Sequence, residues 1–305
     1  MKKTTLTFLL GVLFIGGCSI GEKKQVTVNL HEVTPTSLEE RSQDFVHEIA
    51  VVDPRDNKVI EVINPTQFEN EEELKLKASQ LATELAATID RPMIPAKLSN
   101  GELVEGQSRM ILKESVLVEQ LLNKSVYNTQ VVLPIEEVSP NVTKEAVAGI
   151  DEVELGSFTT YFDPSVEGRV FNIKKSAAEI NEIVLGPGDR FYFNTVVGNA
   201  SKANGYRLAT VIVNHEFVPG YGGGVCQTSS TLYNAVAKAG LEILELHHHS
   251  EPVGYVPYGQ DATVAYPYKD FKFANNRPYP IVIKTIVQGG TIEVQIRSAA
   301  NYVSN

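Results

Sequence analysis

Apolar and polar residues alternate between about residues 27 and 63, in VTVNLHEV, FVHEIAVVD and KVIEVI. That period predicts short strands joined by turns such as DPRDN. The period then changes. Leu74, Ala78, Leu81, Leu85 and Ile89 recur at helical spacing and predict one apolar stripe on a surface helix. Asn70 stands where an N-cap belongs, and Glu73 is placed to reach back toward the helix start. PMIPAKL, a turn at SNGE, RMILKESVLVEQLLN and a strand TQVVLPIEEV follow.

Near residue 150 the composition shifts. Ile173, Ala177, Ile180 and Val184 predict a second helical stripe, closed by Gly186-Pro187-Gly188. RFYFNTVV and RLATVIVNHEFV read as strands. A third helix is predicted from about 226 to 239, with Leu232, Val236 and Ala239 in its stripe and Gly240 at its C′ position. LEILELHHHS, DATVAYPY, FKFANN, YPIVIKTIV and TIEVQIR read as further strands. The fold class expected is α+β: a small N-terminal α+β module, then a mixed domain of antiparallel sheet with a cysteine at a helix N-terminus.

The N-terminus changes the picture of where this chain works. Lys2 and Lys3 precede a short apolar run, Thr7 to Ile15, too short to span a bilayer. It ends in Ile15-Gly16-Gly17-Cys18, which resembles a bacterial lipobox, whose cysteine is acylated and becomes the mature N-terminus. The organisation expected is a lipoprotein signal peptide (1–17), a polar tether (18–26), an α+β module (27–150) and a second domain (151–305). Acyl chains on Cys18 would hold the protein to a cell membrane, facing the cell wall. The formal charge of −10 argues against a nucleic-acid partner.

The chain has two cysteines. If Cys18 carries lipid, Cys226 has no intramolecular partner, and is either buried and inert or kept for chemistry. At a helix start it would face free N–H groups and the positive end of the helix dipole, which favour the nucleophilic thiolate. Gly222, Gly223 and Gly224 clear the space before it, so that substrate could approach the backbone and N–H groups could hold an oxyanion. Gln227, Tyr233 and Asn234 are candidate lining residues. Strand alternation puts His247 and His249 on one face and His248 on the other. The constellation read from these residues is Cys226 as nucleophile, His249 as base and Asp261 as its orienting partner. His247 is the alternative base and His215 an outside candidate. Consecutive strand residues point to opposite faces, so at most two of the three histidines could share a metal, and neither a metal nor another cofactor is expected.

Three stretches carry a family resemblance: FNIKKSAAEINEIVLGPGDRFYFNTVVG, then VPGYGGGVCQTSSTLYNAVAKAGLEILELHHHSEPVGYVPYGQDATVAYPYKDFKFANN, then YPIVIK. Over roughly residues 155 to 290 the chain resembles the VanW family of bacterial envelope proteins, named from glycopeptide-resistance clusters. Residues 70 to 145 look like the peptidoglycan-binding module that often precedes that domain. The resemblance implies action on peptidoglycan stem peptides, with L,D-transpeptidase-like acyl transfer from Cys226. It also supports His249 over His248. It leaves open a peptidase, or a lipoprotein that only binds the cell wall.

Overall fold

The structure is a computed structural model and describes residues 47–303, except 124, 126, 214 and 215. The expected signal peptide with Cys18, the expected tether and strand VTVNLHEV, and His215 lie outside the described residues. The described chain is a mixed α+β fold with several antiparallel sheets and six α-helices among the described residues.

The first half contains β1 (Ile49–Asp53), β2 (Lys58–Ile63), α1 (Glu71–Ile89), β3 (Ala96–Ser99), β4 (Glu102–Val104), β5 (Arg109–Leu112), α2 (Glu114–Leu122), β6 (Gln130–Val132) and β7 (Ile135–Val138). Strand β1 pairs antiparallel with β2 and parallel with β6. Helices α1 and α2 supply Leu74, Ala78, Leu81, Leu117 and Leu121 to one apolar cluster with Ile49, Val51 and Val131 of that sheet. The α1 cap forms as its residues dictate. Asn70 Oδ1 accepts the Glu73 N–H at 3.0 Å, while the Glu73 carboxylate accepts the Glu69 N–H at 2.9 Å.

The second half contains β8 (Val153–Tyr161), α3 (Glu167–Ile180), β9 (Ile183–Leu185), β10 (Arg190–Tyr192), α4 (Phe193–Val197), β11 (Leu208–Val213), β12 (Glu216–Tyr221), α5 (Val225–Lys238), β13 (Glu242–Glu245), β14 (Lys272–Ala274), β15 (Ile281–Gln288), β16 (Thr291–Ser298) and α6 (Ala300–Val303). A six-stranded sheet runs β4-β3-β9-β15-β16-β8, so β3 and β4 of the first half join it. Helices α3 and α5 pack on each other and on β8, β15 and β16. Ile173, Leu232, Val236, Ile283, Val294 and Ile296 fill the core between them, all fully buried.

Several segments differ from their sequence pattern. TQVVLPIEEV is two strands in two sheets, divided at Pro134, which has no N–H to give a ladder. In RFYFNTVV only Arg190–Tyr192 is strand, because the Asp270 carboxylate accepts the Asn194 N–H at 2.8 Å and the chain winds into α4. Val184 belongs to β9 rather than to the α3 stripe. The helix stops at Ile180, the Asn181 backbone N–H donates to the Ala177 carbonyl at 2.9 Å while its side chain accepts the Thr285 N–H, and Glu182 takes a left-handed φ of 64°. LEILELHHHS is strand only as far as Glu245, and DATVAY is not a strand.

Candidate functional site

Helix α5 begins with Gly224 as N-cap and no side-chain cap, and Cys226 is its second residue. In its first turn the Val225 and Gln227 N–H groups donate to the Gly222 and Gly224 carbonyls at 3.0 Å, so the Cys226 N–H is the one without an acceptor among the described residues. No acidic side chain occupies that turn. The fold fixes this entry tightly. Gly224 has φ 110°, and a Cβ on it would lie 2.9 Å from Ile173 Cγ1. A Cβ on Gly223 would lie 2.5 Å from the Thr210 carbonyl oxygen. The two glycines therefore let α5 start hard against α3 and β11, and their missing side chains face packed protein.

Cys226 opens on a cleft of about 760 Å³. Gly223, Gly224, Gln227 and His249 share its lining with Arg169, Tyr255 and Lys269. The thiol is half-buried and lies 3.4 Å from the Val264 carbonyl oxygen, to which it donates. Burial pushes the thiol up, and Asp261 pushes the same way, against the pull of Arg169 and Lys269. Those two cations do not undo the burial, so at neutral pH the sulfur rests protonated. The helix-start argument alone points the other way, to a thiolate; desolvation outweighs it.

His249 is fixed by Asp261. The ring Nδ1 and the backbone N–H of His249 each lie 2.7 Å from Asp261 Oδ2. Burial raises the Asp261 carboxyl, but hydrogen bonds from the His249 N–H and from the His249 and His248 rings outweigh it, leaving the group below its ordinary range. An ionised Asp261 accepts from Nδ1, so the neutral His249 ring keeps its lone pair on Nε2.

The other histidines are placed differently from strand alternation. The chain leaves the strand after Glu245, so His248 and His249 both turn to Asp261, with His248 Nδ1 at 3.1 Å. His247 turns to Glu245, its Nε2 2.9 Å from the carboxylate, and is not part of the cleft lining. Tyr233 packs edge-on against Phe271 and joins the core.

What the sequence pattern missed is the work of the polar residues after Cys226. Gln227, Thr228, Ser229, Ser230 and Thr231 are at most 1% exposed. Ser230 Oγ donates to the Cys226 carbonyl at 2.7 Å and accepts the Ala262 N–H at 2.9 Å. Ser229 Oγ donates to the Ala262 carbonyl, and Asn234 Nδ2 donates to the Gln260 carbonyl at 2.7 Å. The helix thus grips the segment on both sides of Asp261. Gln227 Nε2 donates to the Thr160 hydroxyl and to the Tyr161 carbonyl, and Gln227 Oε1 accepts from Arg169 at 2.7 Å. Arg169 also lies over the Tyr255 ring, 5.8 Å from its centroid. Burial lowers the Arg169 guanidinium and raises the Tyr255 hydroxyl. A run of buried hydroxyls in an amphipathic helix is the available signal: such groups need partners, and Ser229 and Ser230 find theirs in the loop that carries Asp261, Thr228 and Thr231 theirs in Ser176 of α3 and Thr160 of β8.

Residues 168–297 match the family profile described as VanW like protein. The chain is 36% identical over 226 residues to the uncharacterized protein YoaR of Bacillus subtilis, covering 73% of this chain and 75% of YoaR. This chain belongs to the VanW-like family. It is also 30% identical over 115 residues to the vancomycin B-type resistance protein VanW of Enterococcus faecalis, covering 36% of this chain and 42% of that protein. No solved structure matches the chain.

Proposed function

We propose that this protein is a lipid-anchored cell-envelope enzyme that performs thiol-dependent acyl transfer on peptidoglycan stem peptides. One observation carries the reading: Cys226, at the free end of α5, lines the same cleft as a histidine held by a buried carboxylate. The similarity to a protein named for vancomycin resistance supports a cell-wall role. Attachment through Cys18 follows from its lipobox-like context.

The resting sulfur is protonated, so the nucleophile forms during attack. His249 Nε2 takes the thiol proton as the sulfur bonds to the amide carbonyl carbon. The Asp261 carboxylate stabilises the imidazolium. The Cys226 backbone N–H, in the first α5 turn, faces the developing oxyanion. His249 then gives its proton to the departing amine as the C–N bond breaks, leaving a thioester on Cys226. Water or the amine of a second stem resolves the thioester and restores the thiol.

A second reading has its own support. Burial raises the thiol and the Val264 carbonyl accepts its hydrogen, which also suits a packed structural cysteine in a cell-wall-binding protein. Incubation with purified muropeptides separates the two. The enzyme reading expects shortened or cross-linked products and a mass adduct on Cys226, both lost in Cys226→Ser and His249→Ala. Binding to cell wall by both variants at wild-type strength, with no product from any of the three proteins, would leave the binding reading in place. Incorporation of an alkyne fatty acid, lost in Cys18→Ala, tests the anchor.

A further inference from the structure

The cleft carries a charge pattern that acyl transfer by itself does not require. Arg169 and Lys269 line it, and no aspartate or glutamate does, in a chain whose formal charge is −10. Among the described residues neither cation has a carboxylate partner. The one side-chain acceptor of Arg169 is the neutral amide oxygen of Gln227. That leaves a half-buried guanidinium without a counter-ion, an arrangement proteins rarely keep without use, because a desolvated charge needs an opposite one. Both cations act on the sulfur of Cys226, so both stand near the reacting position. The same cleft lining holds Thr263, 8% exposed, whose hydroxyl has no partner among the described residues.

We infer that Arg169 and Lys269 bind a carboxylate of the substrate beside Cys226, so that the cleft selects peptides with a free carboxylate next to the bond attacked. Arg169 supplies the planar fork that matches a carboxylate; Gln227 and the Tyr255 ring hold it in place. Lys269, exposed at the rim on the turn after Val264, supplies a second positive charge. The inference deepens the acyl-transfer reading by naming the class of donor, and rests on it only for the bond that is broken.

The test uses the charge of the alkylating reagent, which needs no knowledge of the natural substrate. Alkylation of Cys226 by iodoacetate and by iodoacetamide is measured in the folded protein, each rate normalised to that of N-acetylcysteine. The carboxylate reagent is expected to be favoured about tenfold or more, the worth of one charge-assisted hydrogen bond. Arg169→Gln abolishes the preference, Arg169→Lys keeps part of it, and Lys269→Gln reduces it. Lys269 is exposed, so its variant reads the charge without disturbing the core. Equal normalised rates in the wild type, a preference that survives Arg169→Gln in a folded protein, or no labelling by either reagent would overturn the inference. The two readings fail separately. A preference for iodoacetate with no thioester from any peptide removes the acyl transfer and leaves the carboxylate site. Peptide turnover without the preference does the reverse.

Discussion

Helix α1 keeps its polar groups outside and its apolar groups in the core. Glu71, Glu72 and Glu73 occupy its first turn, Asn70 caps it in solvent, and the buried face is leucine, alanine and isoleucine. Helix α5 begins in the opposite way. It has a glycine cap and no acid in the first turn, and it buries glutamine, threonine and serine before its apolar stripe starts. The α1 end satisfies the Glu73 N–H with its own Asn70 cap. The α5 end spends its side chains on holding its neighbours and gives its Val225 and Gln227 N–H groups to the Gly222 and Gly224 carbonyls, which leaves the Cys226 N–H and the positive end of the dipole at the thiol. The N-terminal turn of α1 thus serves the helix itself while that of α5 serves the site, and that division can be tested.

The largest stability effect is expected from the helix with no site. Leu74 is fully buried in the α1 cluster. Leu74→Ala should destabilise the protein by about 2–5 kcal/mol through the lost transfer energy and the cavity left behind. Denaturant unfolding measures the loss. The rate of Cys226 alkylation below the transition should not change. A change there would break the division, since it would mean that the α1 core also shapes the cleft.

Ser230→Ala is the matching change in α5. It leaves the buried Ala262 N–H without an acceptor, at a cost of about 1–3 kcal/mol. Here the smaller stability loss should carry the larger chemical effect. Ala262 follows Asp261, so loosening that segment lets His249 lose its orientation. Muropeptide turnover should fall while the fold remains. Ser230→Thr, which keeps the hydroxyl, should restore part of both. Equal turnover in Ser230→Ala and wild type would show that the Asp261 segment is held by other contacts.

The same two helices show what a sequence can give away. The α1 stripe and its cap follow from local spacing, and so do the ends of α5, with Gly240 at φ 66° closing it. Cys226 stood out because glycines precede it in a chain with only one other cysteine. His249 and Asp261 lie 12 residues apart, close enough for local pattern to suggest the pair. The rest depends on the chain's path. Arg169 comes from α3, 58 residues from its partner Gln227, and no motif points to it. Alternation puts His248 on the face opposite His249, but both turn to Asp261, because alternation holds only inside a strand and the strand ends at Glu245. The serines and threonines after Cys226 looked like ordinary first-turn residues. Only their burial and their partners show that Ser229 and Ser230 tie the helix to the Asp261 segment, while Thr228 and Thr231 tie it to Ser176 of α3 and Thr160 of β8.

The smallest effect expected is a shift in a pH profile, and it bears on how α5 uses its free end. The helix start favours the thiolate, as do the charges of Arg169 and Lys269, while burial and Asp261 oppose it and prevail. Alkylation by neutral iodoacetamide should therefore reach its midpoint above the free-thiol value of about 8.5. Arg169→Gln removes a positive neighbour, so the thiolate becomes harder to form and the midpoint should rise further. Lys269→Gln should move it the same way by less. His249→Ala gives the decisive comparison. If His249 takes the proton only as the sulfur attacks, its loss should leave the alkylation midpoint nearly in place while abolishing peptide turnover. If a thiolate–imidazolium pair exists at rest, the wild-type midpoint should instead lie well below 8.5 and climb in His249→Ala. That second outcome would mean that the dipole and the base together overcome desolvation, and that α5 stores its nucleophile already ionised.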